Sequence, residues 1–140
     1  MKINNIIIPG VSIGGISIGE QIENIARAIL KSEYLIEKTT NALVINNGLI
    51  TAYHDSEGII SAVSCNEKFQ GRYMDKLWPG ITVSEVLANS KAQIAWSGFV
   101  QIDQLRGIGL SLPEELDDFE SLSDILDPDY VFNELWVYTF

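Results

Sequence analysis

The stretch from Ala42 to Cys65 constrains the fold most. Two runs of strand-forming residues, Ala42–Asn46 and Leu49–His54, flank Asn47–Gly48. Asn–Gly is the pair best able to take positive φ at both central positions of a type I′ turn, whose twist suits a two-residue hairpin. Ser56–Glu57–Gly58 then turns the chain into a third run, Ile59–Cys65. A three-stranded antiparallel meander is therefore predicted, and the remaining residues must cover its apolar face.

One segment suits that task. Ile22, Ile25, Ala26, Ile29 and Leu30 recur at i, i+3, i+4, i+7 and i+8, which predicts a helix over Ile18–Lys31 with one apolar stripe. A second helix is predicted from about Val83 to Ala92. A strand pair covers about 93–103 with a bulge at Gly98, and a short strand covers Gly107–Ser111. The closing residues Glu134–Phe140 (ELWVYTF) read as a strand tied into a sheet. The expected class is α+β: an antiparallel or mixed sheet, two main helices, and short helical turns in the acidic C-terminal stretch. At 140 residues the chain suits a single domain, 1–140, or two small α+β halves, 1–65 and 80–140, sharing a core. Residues 66–80, ending in the breaker Pro79–Gly80, would link the halves.

Charge is distributed unevenly along the chain. Residues 1–106 carry nine bases against ten acids, whereas 107–140 carry nine acids and no base, which supplies nearly all of the formal charge of −10. Those acids alternate with Leu116, Phe119, Leu122, Ile125, Leu126, Tyr130, Phe132 and Trp136, so the segment can fold and is no disordered brush. Leu116, Phe119, Leu122 and Ile125 recur every three residues, which predicts two short helical pieces, the second capped by Ser121. Asp127–Pro128 is placed to open a last turn. An ordered surface of one sign stores repulsion, and a cationic partner is the simplest use for it. The same charge opposes binding to nucleic acid or anionic lipid. No apolar window approaches the ~20 residues of a membrane helix. The start MKINNIIIPG lacks the apolar core and cleavage site of a secretory signal, and the lone Cys65 suits a reducing compartment, so a cytoplasmic protein is expected.

An octet recurs: GISIGEQI at 15–22, GITVSEVL at 80–87 and GLSLPEEL at 109–116. Each has the spacing of a strand end feeding a capping box, with Ser17, Thr82 and Ser111 as caps and Glu20, Glu85 and Glu114 reaching back. Unequal offsets exclude a solenoid.

Catalytic signatures are weak. His54 and Cys65 lie on strands that the meander pairs, which admits a Cys–His arrangement, and both are also ordinary strand residues. The Gly-rich start lacks both the dinucleotide and the phosphate-loop spacings, and Glu20 would repel an anion there. Asp55-Ser-Glu57-Gly58 and Asp127-Pro-Asp129 supply oxygens but match no calcium loop. No catalytic residue, metal or cofactor is expected. A small carboxylate-based or metal-assisted hydrolase, and a generic acidic adaptor or chaperone, stand as alternatives to a protein that binds one cationic partner.

The runs IPGVSIGGISIGEQI, NNGLITAYHDSEGIISAV, LWPGITVSEVLANS and SGFVQIDQLRGIGLSLPEELDDF together resemble bacterial immunity proteins against contact-dependent growth-inhibition and related polymorphic toxins. The resemblance spans most of the chain and carries no active-site motif. It implies a small cytoplasmic α+β protein that binds its cognate toxin's C-terminal domain and blocks it. Many such toxins are nucleases with basic clefts, which agrees with the separate charge argument. On this reading the footprint is Glu115, Asp117, Asp118, Glu120, Asp124 and Asp129. Phe119 and Tyr130 are its anchors or else part of the core. Neither nucleic acid nor membrane is contacted directly.

Overall fold

A computed structural model describes residues 1–116 and 118–139, and an eight-stranded antiparallel sheet organises them. Strands hold 35% of the residues against 17% in helices, so the sheet decides the architecture. Its strands are β4 (Ile36–Lys38), β5 (Ala42–Ile45), β6 (Ile50–His54), β7 (Ile60–Cys65), β9 (Gln93–Trp96), β10 (Phe99–Ile102), β11 (Ile108–Ser111) and β13 (Leu135–Tyr138), in the spatial order β4-β5-β6-β7-β13-β11-β10-β9. β4 to β7 form a meander. The chain then crosses to the far edge, returns through β9, β10 and β11, and makes a long acidic excursion. Finally β13 fills the gap between β7 and β11.

Three two-residue strands, β1 (Ile7–Ile8), β2 (Ser12–Ile13) and β3 (Ile16–Ser17), make a small sheet at the Gly-rich start. β8 (Ile81–Thr82) and β12 (Val131–Phe132) pair as a ribbon. The helices are α1 (Ile22–Leu30), α2 (Val83–Asn89) and a single turn, α3 (Leu122–Ile125), inside the acidic stretch.

The register explains where the core lies. Ile36, Ile45, Ile50, Cys65, Leu135, Leu110 and Val100 are successive cross-strand partners, so one face of the sheet is aliphatic from end to end. Ile22, Ile25, Ala26 and Ile29 of α1 join the same cluster, as do Val83 and Val86 of α2, Phe69, Leu77, Leu122 and Phe132. Each Val, Leu, Ile or Phe side chain among them contributes roughly 1.5–3 kcal/mol when withdrawn from water. All covering elements therefore pack on one face. The other face has no layer over it among the described residues.

Several local expectations are corrected. The helix at the start is four residues shorter at its N-terminus: Gly19 N donates to Ile60 O (2.8 Å) and Ile60 N to Glu20 O (2.9 Å), so residues 19–20 are held beside β7. Leu30, read as part of its apolar stripe, is 65% exposed at the last turn. Only the middle octet caps a helix. Thr82 Oγ1 accepts from Glu85 N (3.1 Å) and Glu85 Oε1 accepts from Thr82 N (3.1 Å), whereas Ser17 and Ser111 end strands β3 and β11. The hairpin loop is four residues, 46–49, because Ile45 pairs with Ile50, and Asn46, Asn47 and Gly48 all take positive φ. Gly98 is no bulge. It sits with Ser97 in a two-residue turn, both at positive φ (87° and 50°), since Trp96 pairs directly with Phe99. Ser121 precedes α3 without a side-chain cap bond, Leu116 closes a turn on Pro113 O (2.9 Å) without a helix, and Asp127 closes a turn on Tyr130 N (3.0 Å) without a helix.

Candidate partner-binding surfaces

The acidic excursion leaves the sheet after β11 and is tied down at its two ends. Leu112 N donates to Gly98 O (2.9 Å), Ser84 N to Pro128 O (2.9 Å), Val83 N to Tyr130 O (3.0 Å) and Gly80 N to Phe132 O (2.7 Å). Leu122 and Phe132 are buried beneath it. An apolar underside thus holds the backbone, and the carboxylates are left outside. Glu115, Asp118, Glu120, Asp124 and Asp129 are all exposed, while Asp117 lies outside the described residues. Phe119 and Tyr130 are half-buried and packed against the core, with Tyr130 edge-on to Phe132 at 5.2 Å. Among the described residues the one ion pair is Lys76–Asp103 (3.0 Å), which involves no acid of this segment. Burial raises the Tyr130 hydroxyl above its ordinary value, and the charge of Glu115 adds to the effect.

Where the excursion rejoins the sheet there is a groove of about 450 Å³, lined by Glu67, Glu114, Tyr130 and Glu134 among others, with three carboxylates and no base. Glu134 marks its border with a second surface: its Oε1 accepts from Trp136 Nε1 at 3.4 Å.

That second surface is the uncovered sheet face, which sequence reading did not identify. Five rings stack across it. Tyr53 and Trp136 lie 4.7 Å apart, Phe99 and Trp136 5.6 Å, Phe99 and Tyr138 4.7 Å, and Tyr138 and Trp96 5.3 Å. The strands carrying these rings are not all neighbours. β7 separates Tyr53 from Trp136 and β11 separates Trp136 from Phe99, so the rings lean over the small residues between them, Ser64 and Gly109. A Cβ on Gly109 would fall 2.8 Å from both Phe99 Cβ and Tyr138 Oη, which is why glycine is required there. Tyr138 Oη accepts from Gln101 Nε2 (2.9 Å) and donates to Ile108 O (3.1 Å), locking the deepest ring. Burial raises the hydroxyls of Tyr138 and Tyr53, and Glu134 adds to the shift at Tyr53. The available signal was period two: Trp136 and Tyr138 alternate with Leu135 and Val137, and Ile94 and Trp96 alternate with Gln93 and Ala95.

The candidate catalytic pair is not assembled. Cys65 pairs with Ile50 and His54 with Ile60, so the two are about four residues apart along the strands, roughly 13 Å at ~3.3 Å per residue. Cys65 is buried, which pushes its thiol up to about 12, and His54 Nδ1 lies 2.9 Å from Asp55 O. Among the described residues no three His, Cys, Asp or Glu side chains gather to hold a metal, and no helix is long and apolar enough to cross a membrane. Comparison with protein families, with curated proteins and with solved structures finds no match for this chain.

Proposed function

We propose that this protein is a stoichiometric inhibitor that captures a cationic protein, as the immunity proteins it resembles capture their toxin domains, and that it turns over no substrate. The observation that carries this reading is the state of the acidic excursion: its backbone is tied down at both ends, Leu122 is buried beneath it, and its described carboxylates are exposed and form no ion pair. Holding like charges together costs stability that a pairing partner would restore. An anionic surface also speeds encounter with a basic protein, up to ~10⁸–10⁹ M⁻¹s⁻¹ at low salt. A nuclease cleft built for phosphates is the kind of cationic surface it suits. The groove holding Glu67, Glu114 and Glu134 would receive a lysine or arginine of the partner.

The test is affinity capture from the native host at low ionic strength with elution by salt, in parallel with a variant carrying Asp118→Lys, Glu120→Lys and Asp124→Lys. All three positions are exposed, so the variant should fold normally. One basic protein retained by the wild type and lost by the variant supports the reading. Equal retention by both would move the interface elsewhere, and several unrelated basic clients would favour a general adaptor.

A further inference from the structure

The eight-stranded sheet has two edges, and they are finished differently. β4 is three residues long, and two of them, Glu37 and Lys38, are charged and exposed, which is how natural sheets discourage edge-to-edge association. β9 has no such protection. Its sequence, QIAW, has no charge and no proline, its pairing with β10 has no bulge, and Ile94 and Trp96 are 52% and 42% exposed.

The unpaired backbone groups can be located. A two-residue loop makes the flanking Trp96 and Phe99 a hydrogen-bonded pair, and in an antiparallel ladder such pairs alternate. Ile94–Gln101 is therefore the next, and the bond from Asp103 N to Ala92 O (2.9 Å) continues the alternation. Gln93 and Ala95 consequently turn their N–H and C=O groups outward, with Ile94 between them. Beside this edge lies the largest cavity described, about 630 Å³, lined by Ile94, Trp96, Gln101, Gln104 and Arg106. It contains no carboxylate, although the chain has nineteen acids. The nearby turn holds Asp103, which is neutralised by Lys76 and by the N–H groups of Lys91 and Ala92.

We propose that β9 is a self-pairing edge: a second copy of this chain adds its own β9 antiparallel across a two-fold axis, and Ile94 and Trp96 of each copy occupy the hollow of the other. A two-fold axis through Ile94 places Gln93 of one copy opposite Ala95 of its partner, and the reverse. That register joins the outward-facing groups of both copies in one ladder. Exposed apolar side chains and the cavity they border belong to the same few residues, which is the self-complementarity an isologous contact requires. Charge leaves this place open. Arg106 lines the hollow, no carboxylate does, and Asp103 in the nearby turn is paired with Lys76, although each chain carries a net charge of −10. A four-residue edge with two side chains buries less than the ~1,600 Å² of a standard interface, so a weak dimer with a dissociation constant in the micromolar range is expected.

Sedimentation velocity from ~1 to ~500 µM tests this, because a dimer's population follows concentration. The wild-type mass should rise from 15.5 kDa towards twice that value. Added salt should strengthen the dimer by screening its net repulsion, whereas capture of a cationic protein should weaken with salt. Ala95→Pro removes an outward N–H that β10 does not use, so it should keep the far-UV circular dichroism and hold the chain monomeric. Ile94→Lys, at an exposed position, should do the same through repulsion between facing copies. A wild type that stays monomeric across the range overturns the proposal, as does dimerisation of both variants at wild-type strength.

Discussion

Gly109→Ala is the sharpest probe of how the uncovered sheet face is built. The new methyl carbon would meet Phe99 Cβ and Tyr138 Oη at 2.8 Å and Val100 O at 3.2 Å. Carbon contacts are comfortable at about 3.5–4.0 Å, so about 1 Å of overlap must be relieved. Phe99 Cβ is fixed to the backbone of β10, and Tyr138 Oη is held by Gln101 and Ile108 O, so neither yields freely. Overpacking of this kind costs about 1–3 kcal/mol, and displacing the tyrosine adds about 1 kcal/mol for each hydrogen bond lost. Against that, alanine restricts the unfolded chain and returns about 0.4–1 kcal/mol. A net loss of about 1–3 kcal/mol is expected, lowering the melting temperature by roughly 3–12 °C in a domain of this size. Calorimetry would measure the shift. Near-ultraviolet circular dichroism would report the stacked rings and should weaken. Adding Tyr138→Phe removes one of the two close contacts, so the double variant should lose less than the sum of the singles. A melting temperature at or above wild type, with an unchanged aromatic spectrum, would refute the idea that glycine seats the rings.

Other expectations are simpler. Thr82→Ala should cost about 1 kcal/mol in chemical denaturation because it removes the capping box of α2, whereas Ser17→Ala should show no capping loss although its octet is similar. Leu122→Ala, at a fully buried site under the acidic excursion, should cost about 2–5 kcal/mol and raise amide exchange in the residues around it. Asp103 is held down to about 2 by the Ala92 amide, Lys76 and the Lys91 amide, in that order. Its folded-state value is depressed, so its contribution is present above the ordinary carboxylate range near ~3.9 and is lost as pH falls through about 2; Asp103→Asn should flatten that acid limb in urea midpoints measured against pH. Burial pushes Cys65 up to about 12, so a disulfide reagent at neutral pH should label the folded protein at least ~100-fold more slowly than the unfolded chain.

The readings that survived the structure rest on signals complete within a few residues. The meander, α2 with its Thr82–Glu85 box, the short strand after Gly107 and the closing strand each depend on neighbours within about eight positions. Failures came where a distant strand competed for the same backbone. Residues 19–20 have a good helix-start pattern, but β7 offers their amide and carbonyl groups partners in the core, and those bonds win. Ser111 meets a similar competitor: its N–H bonds Glu134 O, so the third octet finishes β11 and starts no helix. The exposure of the described acids of this stretch was legible because charge forces exposure whatever the topology. The rings were visible one by one, and their assembly was not, because β13 enters between β7 and β11 from the far end of the sequence.

That late insertion also accounts for how one face of a long sheet can remain without a covering layer. On the aliphatic face β13 contributes Leu135 and Val137 to a row that helices must shelter. On the opposite face it contributes Trp136 and Tyr138, large enough to reach across Ser64 on one side and Gly109 on the other and touch the rings of β6 and β10. The rings thus shelter one another, and small residues on intervening strands make the reach feasible. Tyr138 is left only 7% exposed with no helix above it among the described residues. Among the described residues shelter fails at the end of the row, on β9, where Trp96 has Tyr138 on one side and no further strand on the other. An added strand at that edge would supply the missing neighbour, and the physics that closes the rest of the face would then operate along its whole length.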